Sequence, residues 1–128
     1  MANISNLESD ILLSIDENFR HQIDFTKSLI SFPSTRGNEQ TAQTFIEQTL
    51  SERGYKLDKW AIDINEIKNH PGFSPSTISY ENSFNVVASH VPREVKGKSL
   101  ILNGHIDVVP SGPDDMWSRS PFDPWVEG

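Results

Sequence analysis

The triplet His105-Ile106-Asp107 brings together two residue types that bind metal ions in proteins. In an extended segment the side chains of His105 and Asp107 point to the same face, ~6.6 Å apart along the backbone. A neutral imidazole binds a metal ion through one nitrogen, and its other N–H usually donates to a carboxylate that fixes the tautomer. The spacing therefore predicts His105 as a metal ligand, with Asp107 as its orienting partner or as a second ligand.

The residues before this triplet favour a site at the end of a strand. The apolar run from Ser99 to Leu102 predicts a strand, and open α/β sheets bind ligands beyond the carboxyl ends of their strands. Gly104 lets the backbone turn tightly or approach a metal ion closely. The alternative is that the triplet is the ordinary polar start of a loop. The spacing alone leaves both interpretations open.

Other residues that could bind a metal ion have simpler structural explanations. They are His21, His70, His90, Glu39, Asp114 and Asp115. His21 lies among polar neighbours on a predicted helix and is expected to be exposed. The carboxylate of Glu39 suits the N-terminus of a helix. Asp114 and Asp115 indicate a solvated turn. We therefore predict none of these six residues as a ligand.

Composition narrows the chemistry further. The chain has 128 residues, enough for one modest domain, a formal net charge of −7 and no cysteine. The lack of cysteine excludes disulfide scaffolds, thiolate zinc fingers and cysteine nucleophiles, so a metal would be held by His, Asp or Glu. The acidic balance argues against a surface for nucleic acid or anionic membrane. With no secretory signal and no apolar run long enough to span a membrane, a cytoplasmic location is expected.

The first half of the chain predicts two helices. Ser5 and Glu8 fit a capping box for a long amphipathic helix, which ends near residues 31–32 because Pro33 disfavours helix at the residue before it. The apolar residues of this helix are Leu7, Ile11, Leu12, Ile15, Phe19, Ile23 and Ile30. A second helix is expected over 39–53. Its predicted core face is Ala42, Phe45, Ile46 and Leu50, and Gly54 suits a left-handed C-terminal cap.

Three strands are expected in the second half, over 55–64, 85–89 and 100–102. The apolar phase of the first strand slips, which indicates a bulge or an early end. The second strand is continuously small or apolar, as expected of a strand covered on both faces. Because only a short link separates the second strand from the third, we expect these two to form an antiparallel hairpin. Residues 63–83 are expected to be irregular.

Two helices followed by about three strands form an α/β pattern that is unfinished. The final residues, 117–128, resemble a loop that enters a further strand. Trp117, Phe122 and Trp125 are expected to be packing residues that need additional surface to contact. The sequence thus predicts part of a larger α/β domain.

Several motifs together resemble a known family. They are Asn103–Pro110 around the His-x-Asp triplet, Ser31–Ser34, Gly37–Glu39, Gly54-Tyr55 at the helix end, Asn85–Ala88, Trp117 with Ser120–Phe122, and Val126–Gly128. In this order and at these spacings they are similar to the N-terminal part of zinc-dependent metallohydrolases. That family includes acetylornithine deacetylase, succinyl-diaminopimelate desuccinylase, aminoacylase and carboxypeptidase G. The resemblance covers almost the whole chain.

The resemblance implies a function for the complete protein. His105 would be a ligand of one of two zinc ions, with cobalt as an alternative metal, and Asp107 would be the catalytic-site aspartate that orients His105. Residues 1–128 would be the N-terminal portion of a single catalytic domain, built on a three-layer mixed sheet and incomplete here. The remainder of that domain and an inserted dimerisation domain would be absent. The complete protein would be a homodimer that hydrolyses an amide bond of a small-molecule N-acyl amino acid or short peptide.

The chain departs from the family pattern because it ends before the other metal ligands and the general base. A catalytic zinc site needs about three protein ligands and an open position. We therefore expect the 128 residues alone to be inactive. Two alternatives remain: a non-catalytic truncated fragment, and a binding module with a degenerate metal site.

Overall fold

A computed structural model describes residues 6–127 of the chain. Helix α1 spans Asn6–Ile30 and helix α2 spans Gln40–Glu52, so both predicted helices are confirmed. Ser5, the expected cap of α1, lies outside the described residues. Within the described part of the chain, neither helix is long and apolar enough to cross a membrane.

The sheet consists of two strands, β1 at Lys56–Ala61 and β2 at Phe84–Ser89, among residues 6–127. They pair in antiparallel register, with Lys56 opposite Ser89 and Ala61 opposite Phe84. The phase slip predicted in the first strand is therefore an early end at Ala61. The expected hairpin between residues 85–89 and 100–102 is wrong, because β2 pairs with β1 instead.

The predicted third strand is also wrong. Leu100, Ile101 and Leu102 have no regular structure and are 80%, 88% and 86% exposed. A strand is stable only when its backbone groups pair with a neighbour, and no described strand lies beside these residues. The helices and the β1–β2 sheet give a mixed α/β structure with one strand fewer than the sequence predicts.

The segment between the strands is mostly irregular, as expected. One short helix was not predicted from the sequence: α3 at Ile64–Ile67. It begins at Asp63, whose carboxylate accepts a hydrogen bond from the Asn65 N–H at 2.8 Å. After β2, a single turn of 3₁₀-helix at Asp114–Met116 contains the predicted solvated aspartates. Both aspartates are exposed.

The packed region lies around α2. This helix contacts both strands, and Ala42 on its inner face is fully buried. The ring of Phe45 lies 5.5 Å from Phe25 of α1 and 5.2 Å from Phe32. Along β2 half-buried and exposed residues alternate, and Val87 is 45% exposed, so only one face of this strand is covered. Coverage of both faces, expected from sequence, is not present.

The apolar residues of α1 recur at helical spacing, as predicted, but most of them are exposed. Leu7, Ile11 and Phe19 are 68%, 50% and 56% exposed, whereas Ile23 and Phe25 nearer the C-terminus are half-buried. Helix α1 is therefore anchored through its C-terminal end, next to the loop that carries Ser34.

Gly54 ends α2 in the predicted left-handed conformation, with φ +76°. The Gly54 N–H donates to the Ser51 carbonyl at 2.9 Å, and the Tyr55 N–H donates to the Leu50 carbonyl at 3.2 Å. This pair of bonds is a Schellman motif, which satisfies the last carbonyls of the helix.

We expect Gly54→Ala to destabilise the chain by about 1 kcal/mol, because a Cβ is strained in the left-handed region. No atom lies within 4 Å of the added Cβ, so the effect reports the backbone conformation alone. Urea denaturation followed by circular dichroism measures it. Gly97→Ala is the matched control, since its added Cβ also meets open space and its φ is not in the strained range. Equal losses in both variants would contradict this explanation.

Candidate functional site

The side chains of His105 and Asp107 are in direct contact. The Nδ1 atom of His105 lies 3.0 Å from the Asp107 carboxylate Oδ1 and 3.0 Å from the Asp107 backbone carbonyl oxygen. Both neighbours are acceptors only, so Nδ1 must carry the proton in the neutral ring. The Nε2 atom then has a free lone pair. The ring is 84% exposed, so this atom is accessible to a ligand.

A loop far away in sequence holds the His105–Asp107 segment in place. The hydroxyl of Ser34 donates to the Ile106 carbonyl at 2.8 Å, and the Val108 N–H donates to the Ser34 carbonyl at 2.9 Å. Thr35 and Val108 form an isolated parallel bridge. Ser34 is 4% exposed, so these bonds are shielded from water. The site segment is therefore positioned by its pairing with the loop after α1. The sequence had instead predicted that the end of a strand would position it.

The second oxygen of the Asp107 carboxylate faces Arg36. The Arg36 Nε lies 4.0 Å from Asp107 Oδ2, and the two side chains are 73% and 37% exposed. Such an exposed pair contributes little to stability. It does place a positive charge on the side of Asp107 away from His105. Glu39 is turned back on its own loop, where its Oε1 accepts from the Gly37 N–H at 2.8 Å.

An apolar cleft of about 560 Å³ adjoins the site. The end of α1 contributes Leu29 and Phe32 to its walls, and the opposite side includes Val109, Trp117 and Phe122. The Trp117 indole N–H donates to the Ser111 carbonyl at 2.8 Å, which fixes this ring beside the segment that follows Asp107. Trp117 and Trp125 are still 46% and 47% exposed. Each of these two rings therefore packs against other residues over only part of its surface.

Of the remaining candidates, Glu39 lines a pocket of about 220 Å³ together with His105 and Asp107, whereas His70 and His90 make contacts elsewhere. Nδ1 of His70 accepts from the Gly72 N–H at 3.1 Å, and His90 packs edge-on against Tyr55 with 5.9 Å between ring centroids. His21 is exposed on α1. Across residues 6–127 no group of three or more His, Asp or Glu side chains is arranged to hold a metal ion. Among the described residues, His105 and Asp107 form the hydrogen-bonded pair of imidazole and carboxylate.

Sequence reasoning found His105 and Asp107 because they are two residues apart. It missed the contact of Ser34 with the site, because Ser34 and Ile106 are separated by 72 positions. The only sequence signal at Ser34 is its place in the Ser31–Ser34 motif. That motif points to a family and gives no contact.

No family model matches the chain. It is 32% identical over 99 residues to succinyl-diaminopimelate desuccinylase of Pseudomonas syringae pv. tomato, covering 77% of this chain and 21% of that protein. It is 29% identical over 114 residues to N-formyl-4-amino-5-aminomethyl-2-methylpyrimidine deformylase of Bacillus subtilis, covering 86% of this chain and 23% of that protein. The deformylase of the same name from Halalkalibacterium halodurans is 27% identical over 135 residues, covering 98% of this chain and 26% of that protein.

These relatives confirm the resemblance drawn from the sequence motifs. By their names they are enzymes that remove a succinyl or a formyl group. The chain spans about a quarter of the length of the curated relatives that it matches, from 21% to 27%.

Proposed function

We propose that the complete protein is a metal-dependent hydrolase. The premise is that this chain is related in sequence to the metallohydrolases that include succinyl-diaminopimelate desuccinylase. Its reaction would be hydrolysis of the amide bond in a small N-acyl compound, such as an N-acyl amino acid or a short peptide. The observation that carries the proposal is the His105–Asp107 pair, in which Nδ1–H is held by two acceptors and Nε2 is free.

The donor chemistry of this pair fits one corner of a zinc site. Zinc accepts imidazole nitrogen, and an orienting carboxylate on the other ring nitrogen is the usual arrangement. His105 would be the ligand through Nε2, and Asp107 would fix the tautomer and the direction of the ring. The bound metal would supply Lewis-acid polarisation of the scissile carbonyl and a water of lowered pKa. The other ligands and the general base would come from residues beyond these 128.

The proposal extends to the whole protein. Residues 1–128 would form the N-terminal portion of one catalytic domain with a three-layer mixed sheet, and further segments would supply the rest and a dimerisation domain. The protein would be a cytoplasmic homodimer with two zinc ions, and cobalt would be an alternative metal. The low-identity similarity to a desuccinylase and two deformylases supports the reaction class.

A second candidate function concerns the 128 residues by themselves. They gather no group of three metal-binding side chains within the part that the structure describes. As the alternative to the hydrolase, we propose that the chain is a truncated fragment or a module with a degenerate metal site. The coding sequence after codon 128 distinguishes the hydrolase from the truncated fragment: a Gly-Arg-Gly-x-x-Asp-Met-Lys-Gly-like run would continue the hydrolase, and a stop codon would indicate the fragment.

The proposed function is tested with the product of the complete coding sequence, loaded with zinc, on N-succinyl and N-formyl amines and amino acids. We expect hydrolysis that a chelator abolishes and zinc restores, and no hydrolysis by the 128-residue chain. Turnover that is unaffected by a chelator would exclude the metal-dependent mechanism. A complete protein that binds zinc without hydrolysing any acyl amide would favour the binding module.

A further inference from the structure

Ser34 is the only polar residue, among those the structure describes, that is buried to the same degree as the core. It is 4% exposed and has no role in the proposed chemistry. Its hydroxyl bonds the Ile106 carbonyl and its own carbonyl bonds the Val108 N–H. These two partners belong to the two peptide groups on either side of the Asp107 Cα atom. Ser34 therefore holds both peptide planes that flank Asp107.

The planarity of the peptide group gives this arrangement a consequence for His105. In a trans peptide the C=O and the N–H point in opposite directions. The group that joins Asp107 to Val108 has its N–H held by Ser34, so its carbonyl is turned away from Ser34. That carbonyl is one of the two acceptors 3.0 Å from His105 Nδ1. Fixing the N–H thus aims the carbonyl at the imidazole.

The geometry points to Ser34 as the positioning residue of the site. By orienting both peptide groups around Asp107, it presents the carbonyl and the carboxylate of Asp107 together to His105 Nδ1–H, and so keeps the lone pair on Nε2. Its importance for catalysis rests on the proposed function, but the tautomer that it selects does not. Ser34 touches no reacting atom and acts only through Asp107.

The tautomer of His105 is the readout. We expect ring ¹⁵N chemical shifts in the 128-residue chain, at a fixed pH where the ring is neutral, to show mainly the Nδ1–H form. Ser34→Ala keeps the bond between the Ser34 carbonyl and the Val108 N–H, and removes only the bond from the hydroxyl to the Ile106 carbonyl. The ratio of Nδ1–H to Nε2–H should therefore fall by up to about fivefold, the equilibrium factor of that one hydrogen bond. Ser31→Ala is the matched control. The Ser31 hydroxyl also bonds a carbonyl, that of Ser28 at 2.7 Å, but it is exposed and its partner belongs to α1 rather than to the site segment.

Ser34→Thr retains the hydroxyl and should restore the Nδ1–H form. An unchanged tautomer ratio in a folded Ser34→Ala chain overturns the assignment, as does an equal change in Ser31→Ala. If Ser34→Ala does not fold, Ser34→Cys decides, because a thiol keeps the shape of the side chain but is a weak donor: a lowered ratio of Nδ1–H to Nε2–H supports the assignment, and an unchanged ratio overturns it. No zinc or substrate is needed, so failure of zinc binding by the complete protein would reject the proposed function while leaving this result intact.

Discussion

Replacement of His105 by alanine is expected to lower the zinc affinity of the complete protein by roughly 100-fold or more. Losing a residue that merely orients a ligand costs about 10–100-fold, and losing the ligand itself must cost at least as much. Acyl-amide hydrolysis at limiting zinc should fall to the same extent. Competition with a chromogenic chelator measures the affinity, and turnover of an N-succinyl amine measures the activity.

Two further variants make this result specific. His21→Ala removes an exposed imidazole from α1 and should leave both quantities unchanged. Asp107→Asn keeps the His105 ligand atom but lets the amide donate to Nδ1, which favours the wrong tautomer, so its loss should be intermediate at about 10–100-fold. Equal zinc affinity and undiminished hydrolysis in His105→Ala would remove His105 from the site.

Replacement of Phe45 by alanine is expected to destabilise the chain by about 2 kcal/mol, below the 3–5 kcal/mol typical of a fully buried phenylalanine because this ring is half-buried. Phe45 joins Phe25 of α1 to Phe32 at the start of the Ser34 loop, with 5.5 Å and 5.2 Å between ring centroids. Its loss should therefore loosen the attachment of α1 to α2. Urea denaturation monitored by circular dichroism gives the free energy of unfolding.

Phe19→Ala provides the comparison for the same chemical change. Phe19 lies on the apolar stripe of α1 but is 56% exposed, so its loss should change the free energy of unfolding by less than about 0.5 kcal/mol. A larger loss in Phe19→Ala than in Phe45→Ala would mean that the N-terminal half of α1 is packed in solution. The aromatic contact with α2 would then no longer be the main anchor of the helix.

The helices were predictable because their determinants are local. The three- and four-residue apolar steps of α1, Pro33 after it and Gly54 after α2 act within a few residues, and the observed bounds follow them. The contact between His105 and Asp107 was predictable for the same reason. Local patterns could not indicate which residues on α1 are covered, since that depends on surface contributed by distant segments.

The errors concern pairing between segments. An apolar run such as residues 100–102 has the composition of a strand, but only a neighbouring strand can satisfy its backbone. Nearness in sequence favoured pairing with β2, whereas β2 pairs with β1 across a long irregular connection. The role of Ser34 was not predictable because neither its residue type nor its spacing specifies Ile106 as a partner.

The bond between Ser34 and Ile106 also constrains the order of folding. Closing a loop of 72 residues has an entropic cost of roughly 4 kcal/mol from its length alone, more than two ordinary hydrogen bonds return. The loop is effectively shorter once β1 and β2 have paired, because that pairing joins residues 56–61 to 84–89. This pairing shortens the loop to about 40 residues and lowers the closure cost by about 0.5 kcal/mol, so closure of the site after the sheet has formed is favoured by that amount. Refolding would then protect the Val108 amide from hydrogen exchange later than the amides that pair between β1 and β2.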